Sequence, residues 1–112
     1  MRRWAVVAVV GVPLAVLTWA GSLVAGSGGV EVKLFQFRPG VLELAAGRAV
    51  TWVNQDEIGH TVTSGTPDHP GGAFDAPLAG KAATATIRFG EPGVYPYFCS
   101  RHQAMRGEIR VR

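Results

Sequence analysis

Beyond residue 29 the chain alternates apolar and polar residues in short runs separated by turn formers. Val30, Val32 and Leu34 alternate with Glu31 and Lys33, the period of a strand buried on one face. The phase then slips to Phe35 and Phe37, which predicts a bulge or a strand that changes partner, and Arg38-Pro39-Gly40 ends the run. Val41 to Ala45 predicts a short strand, and Gly47 turns the chain into Ala49-Val50-Thr51-Trp52-Val53, rich in β-branched and aromatic residues. Asn54 to Gly59 reads as a polar loop, and His60 to Thr63 as extended again. Ser64 to Gly80, rich in glycine and proline, reads as irregular. Ala82 to Phe89 alternates, with Ala83, Ala85, Ile87 and Phe89 on one face. Glu91-Pro92-Gly93 is a turn between that run and the last two strands, Val94 to Phe98 and Arg106 to Val111. No stretch after Gly29 sustains a helical period. About seven to eight strands at this spacing predict an all-β sandwich, with Trp52, Phe35, Phe37, Phe74, Phe89 and Tyr97 packing its core.

The first residues follow another pattern. Met1-Arg2-Arg3 precedes an uncharged apolar run from Trp4, small residues and then Gly26-Ser27-Gly28-Gly29. Basic start, apolar stretch and small residues form a secretory signal, with Ala20 and Ala25 as usable cleavage points. Residues 4–25 are also long enough to span a bilayer if retained. Residues 1–29 are therefore expected to be a signal peptide or membrane anchor with a Gly/Ser hinge, and residues 30–112 the folded domain. That places the domain in the periplasm or on the outer face of the cytoplasmic membrane.

Composition narrows the partners. The chain of 112 residues has a formal charge of +3, but setting aside Arg2 and Arg3 leaves its 11 basic residues at nine against eight acidic ones. A near-neutral domain has no nucleic-acid footprint. One cysteine excludes an internal disulfide, and a lone thiol in an oxidising compartment is a hazard unless something occupies it.

That cysteine lies in Tyr97-Phe98-Cys99-Ser100-Arg101-His102-Gln103-Ala104-Met105, a C-x-x-H-x-x-M spacing. Thiolate, imidazole and thioether are three of the four donors of a blue-copper site, which needs a second imidazole. His60, in Ile58-Gly59-His60-Thr61-Val62, is available. A tight turn between neighbouring strands would put Cys99 at the end of one strand and Met105 at the start of the next, with His102 between them. Four protein donors leave no open position for substrate, which is carrier rather than enzyme chemistry.

Two segments carry a family resemblance. Val50-Thr51-Trp52-Val53-Asn54 followed by His60-Thr61-Val62, and Pro92-Gly93-Val94-Tyr95-Pro96-Tyr97-Phe98-Cys99 with His102, Met105, Gly107 and Ile109, resemble the ligand segments of cupredoxins of the plastocyanin/azurin type, most closely amicyanin and pseudoazurin. The resemblance covers nearly all of residues 30–112. It implies a cupredoxin-like Greek-key sandwich and one copper ion cycling between Cu(II) and Cu(I). Its implied ligands are equatorial His60, Cys99 and His102 with axial Met105. A Thr61 N–H donated to the Cys99 sulfur and an Asn54 side chain tying the two ligand loops are implied as well. So is a monomeric one-electron carrier working between redox proteins such as a cytochrome, a dehydrogenase or an oxidase. Where relatives often carry proline before, and sometimes after, the second histidine, this chain has Arg101 and Gln103. Arg101 either faces an acidic docking partner or is simply solvated, and the missing proline leaves open whether His102 detaches in the reduced protein.

Other residues read more plainly. His69 sits among turn formers and is a surface histidine, with a second loop-borne copper site through His69 and Asp68 as the minor reading. Asp56 and Glu57 are adjacent in a polar loop and read as solvated. Phe98 and Ser100 flank the cysteine where a multicopper oxidase would have histidines, and a binuclear site would need a second cysteine. Two functions compete with the carrier: a periplasmic copper-binding or delivery protein, and a metal-free interaction domain with Cys99 merely buried.

Overall fold

The computed structural model describes residues 28–112, so the expected signal or anchor through residue 27 lies outside the described residues. Nine strands follow one another without a helix among the described residues: β1 (Gly28–Lys33), β2 (Gln36–Arg38), β3 (Val41–Leu44), β4 (Arg48–Asn54), β5 (His60–Gly65), β6 (Pro70–Leu78), β7 (Thr84–Phe89), β8 (Gly93–Cys99) and β9 (His102–Val111). They form two sheets, one ordered β3-β9-β8-β5-β6 and the other β2-β1-β4-β7. Strand β1 runs parallel to β4 and β3 parallel to β9, whereas the other pairs are antiparallel.

Alternation along the strands decides what the sandwich buries. Val30 and Val32 of β1, Val50 and Trp52 of β4, Val62 of β5, and Ile109 and Val111 of β9 all point inward and are nearly inaccessible. Aromatic rings fill the centre edge to face: Tyr97 meets Phe37 at 4.7 Å and Trp52 at 5.3 Å between centroids. Phe89 meets Tyr95 at 5.1 Å and Phe74 at 5.7 Å. The Tyr97 ring lies so close over the Gly107 backbone that a Cβ there would collide with its phenol carbon and oxygen. Gly107 is thus a requirement of close approach.

Four details depart from the sequence reading. The phase slip after Lys33 is neither bulge nor partner change but a hairpin, with Lys33 paired to Gln36 and Leu34-Phe35 as its two-residue turn. Both turn residues are left-handed, with φ of 54° and 60°. That geometry suits the twist of a hairpin but normally calls for asparagine and glycine, so the sequence carries no turn signal here. Pro70–Leu78, expected to be irregular, pairs with β5 as a strand. It is the edge of its sheet, where glycine and proline are tolerated because one side needs no ladder. Gly28 and Gly29, expected in the hinge, already pair with Val50 and Thr51, and the absent side chain of Gly28 leaves room for Leu42. Phe35, expected in the core, is 47% exposed at the hairpin tip.

Among the described residues, the core contains two polar atoms with no partner of hydrogen-bonding geometry, the Trp52 indole N–H and the Tyr97 hydroxyl. Burial pushes the Tyr97 phenol up to about 12, against a smaller opposing pull from the nearby Trp52 N–H. The unfolded chain releases that proton from about pH 10 and the folded protein only near 12, so the unfolded state binds fewer protons in between. Stability should therefore be intact below pH 10 and decline by about 1.4 kcal/mol per pH unit through that window. Urea unfolding of the copper-free protein across the window checks this. Tyr97→Phe should abolish the slope at little cost near neutral pH, because the hydroxyl it removes makes no hydrogen bond.

Candidate metal centre

The turn between β8 and β9 is only Ser100-Arg101, because Cys99 pairs directly with His102 across the hairpin. Opposite residues of an antiparallel pair project from the same face, so the thiol and the imidazole emerge side by side. Cys99 Sγ lies 3.6 Å from His102 Nδ1. The register then slips between His102 and Arg106, and this bulge contains Met105, which is buried within the core cluster. His60 opens β5, which lies beside β8 through the Thr63–Phe98 and Ser64–Tyr97 pairs. Its side chain shares the inward face with Val62 and Ser64 and is buried, with Nδ1 3.7 Å from Cys99 Sγ.

One donor atom from each of His60, Cys99 and His102 lies within 4.8 Å of the others. Metal bonds of about 2.0 Å to nitrogen and 2.3 Å to sulfur, spread at trigonal angles, would separate nitrogen from sulfur by about 3.7 Å. The observed 3.6 and 3.7 Å match that spacing. Two imidazoles and a thiol, with a thioether in the adjoining bulge, are the donor chemistry that suits copper. His69 stands apart in an exposed turn, exchanging backbone hydrogen bonds with Thr66.

Several residues hold these donors. The Thr61 N–H donates to Cys99 Sγ at 3.4 Å, and the Thr61 hydroxyl accepts the Ser100 N–H at 2.8 Å. Asn54 is fully buried, and its Nδ2 donates to the carbonyls of Ile58, Gly80 and Leu78 at 2.9, 3.1 and 3.3 Å. Two hydrogens serve three acceptors, so at least one contact is shared. Its Oδ1 accepts the Asp56 N–H at 2.9 Å. These bonds run from the His60 loop to residues 78–80 rather than to the cysteine loop. That second link falls instead to Thr61 and to Arg101, whose guanidinium lies over Gly59; a Cβ there would come within 3.1 Å of it.

Two residues of the site were not legible as such in the sequence. Asp56 is not solvated: its carboxylate is 11% exposed and accepts from His60 Nε2 at 2.8 Å. It also accepts the Leu34 and Phe35 N–H groups at 2.7 and 3.0 Å. Burial pushes the Asp56 carboxyl up, but the hydrogen bonds from Phe35, His60 and Leu34 outweigh it and hold it below the ordinary carboxylate value. Phe35 lies edge-on to both imidazoles, 5.3 Å from His60 and 5.0 Å from His102 between ring centroids. Glu57, next to Asp56 in the chain, is a surface residue paired with Lys81 at 3.1 Å.

Comparison with known proteins gives a consistent picture. Residues 24–112 match the family described as copper binding proteins, plastocyanin/azurin family. Amicyanin-alpha of Methylorubrum extorquens is 30% identical over 87 residues, covering 78% of this chain and 73% of the relative. A plastocyanin of Scenedesmus fuscus is 29% identical over 92 residues, covering 75% of this chain and 94% of the relative. Among solved structures, a purple cupredoxin from Nitrosopumilus maritimus superposes with a TM-score of 0.69 at 26% identity, covering 76% of this chain and 99% of that one.

Asn54 offers a direct check on how the loop is held. Asn54→Ala strips one buried carbonyl, Leu78, and two part-buried ones, Ile58 and Gly80, of their donor, and leaving the buried one unsatisfied costs about 1–3 kcal/mol. Denaturant unfolding of the copper-free variant should show a loss of at least that size with the slope unchanged.

Proposed function

We propose that this chain, which belongs to the plastocyanin/azurin family of copper-binding proteins, is a type 1 copper protein that carries single electrons between redox proteins outside the cytoplasm. The observation that carries this reading is the convergence of His60 Nδ1, Cys99 Sγ and His102 Nδ1. Copper, when bound, supplies a one-electron couple between Cu(II) and Cu(I). In this reading His60, Cys99 and His102 would hold the ion together with Met105.

The surrounding residues suit a carrier. His60 and Cys99 are inaccessible, so the centre is shielded from water and from adventitious ligands. His102 is only partly buried, which leaves a donor or acceptor a place to approach. The Thr61 N–H withdraws charge from the thiolate and so tunes the potential. Strand ends and a two-residue hairpin hold the donors, which limits the rearrangement accompanying each electron. With His60, Cys99, His102 and Met105 filling the coordination positions in this reading, none is left open for substrate, and the protein acts as a carrier and not an enzyme. Its partners in this reading are a cytochrome, a dehydrogenase or an oxidase, met by a monomeric domain. The basic and apolar start of the chain supports export to the periplasm or the outer membrane face.

The test is spectroscopic and electrochemical. Protein loaded with Cu(II) should show an intense thiolate charge-transfer band and a reversible one-electron wave, and Cys99→Ser should lose the band. A colourless form that binds only Cu(I) would favour copper delivery instead. A Cys99→Ser variant that binds copper as tightly as the parent would sink the metal reading.

A further inference from the structure

The hairpin tip and Asp56 form an arrangement that neither the sandwich nor the ligand set requires. Leu34 and Phe35 are consecutive apolar residues, 66% and 47% exposed, and both hold left-handed backbone that L side chains disfavour. An asparagine-glycine pair would form the same turn without strain and without exposing apolar surface. What the chain gains is the placement of one ring: Phe35 stands nearly perpendicular to both imidazoles, at 86° to His60 and 89° to His102. The imidazoles themselves meet at 5.0 Å between centroids, so the three rings form one cluster.

A single carboxylate ties that cluster together. Asp56 Oδ1 accepts the Leu34 N–H, and Oδ2 accepts both the Phe35 N–H and His60 Nε2. An ionised carboxylate accepts and cannot donate, so the proton in the last contact belongs to His60 Nε2. The neutral imidazole then presents a lone pair at Nδ1, the atom that faces Cys99 Sγ.

Resting on the copper reading above, we propose that Asp56 and Phe35 are positioning residues that act as one clasp on the two imidazole donors. Asp56 fixes the tautomer of His60 and pins the hairpin tip. The pinned Phe35 ring then stops the His102 ring from swinging out of the cluster. His102 needs such a restraint because Arg101 and Gln103 flank it, and neither stiffens the backbone as proline would.

The clasp can be read in the copper-free protein, apart from any electron-transfer activity. Nitrogen-15 NMR at about pH 8, above the ordinary histidine range, reports each imidazole's tautomer and ring motion. The parent should show His60 as the Nε2–H tautomer and His102 as a single rigid ring. Phe35→Ala should leave the His60 tautomer in place but set the His102 ring in motion. Phe35→Leu, which keeps a bulky cover, should restore part of the rigidity. Asp56→Asn has one accepting oxygen where three donors converge, so it should disturb both histidines. The double variant should affect His102 no more than the stronger single one, as expected of residues acting as a unit.

An unchanged His102 ring in Phe35→Ala would overturn the proposal, and so would an Nδ1–H tautomer of His60 in the parent. Phe35 is exposed, so its removal tests the clasp even if Asp56→Asn proves unstable. Copper loading of the parent separates the two readings. A parent that lacks the thiolate band discredits the copper site itself, whereas a clasp failure in a protein that shows the band discredits the clasp alone.

Discussion

The lateral pairing of β5 with β8 is the constraint on which this molecule turns. Through Thr63–Phe98 and Ser64–Tyr97 it brings two distant chain segments to one end of one sheet. The hairpin between β8 and β9 then adds a third donor at no further cost in chain closure, since Cys99 and His102 face each other across it. A thiol and two imidazoles thus converge by strand register, and the same ladder that buries Val62 and Tyr97 sets their separations. A one-residue slip of β5 would send His60 to the opposite face, so core burial and donor placement enforce the same register.

Polar satisfaction divides the molecule into two unequal parts. At the donor end Asn54, Thr61 and Asp56 spend nearly every hydrogen-bonding atom on neighbouring loops. At the centre of the sandwich the Trp52 N–H and Tyr97 hydroxyl go without partners. The contrast has a physical logic. Aromatic packing holds the core wherever its rings fit, and it tolerates an occasional orphan. A ligand set must be held in orientation as well as position, and directional bonds do that. Strain at Leu34 and Phe35 belongs to the same economy, since its left-handed residues are capped by the carboxylate that orients His60.

Much of this was legible in the sequence. Period-two alternation placed β1 and β7, β-branched and aromatic content placed β4, the turn at residues 91–93 placed β8, and the C-x-x-H spacing with His60 singled out three residues that converge, His60, Cys99 and His102. What was not legible shares a cause: it depended on neighbours rather than on local pattern. Strand β6 carries glycines and prolines because it is an edge, and edge status appears only once the sheet is assembled. The hairpin at residues 34–35 lacks turn residues because Asp56, more than twenty positions away, supplies what they would have supplied. Asp56 reads as one of two loop acids, and only its contacts with His60, Leu34 and Phe35 separate it from Glu57. Phe35 looked like core because an aromatic residue in an alternating run usually is.

Before any metal arrives, the fold already holds His60, Cys99 and His102 at ligand spacing. Crystal structures of the copper-free and copper-loaded protein test it most directly. They should superimpose with the two sulfur–nitrogen separations, 3.7 Å for His60 and 3.6 Å for His102, changed by no more than about 0.5 Å, and with copper bound by those three atoms. Ligand loops that rearrange on loading, or copper bound without the Cys99 sulfur, would contradict it.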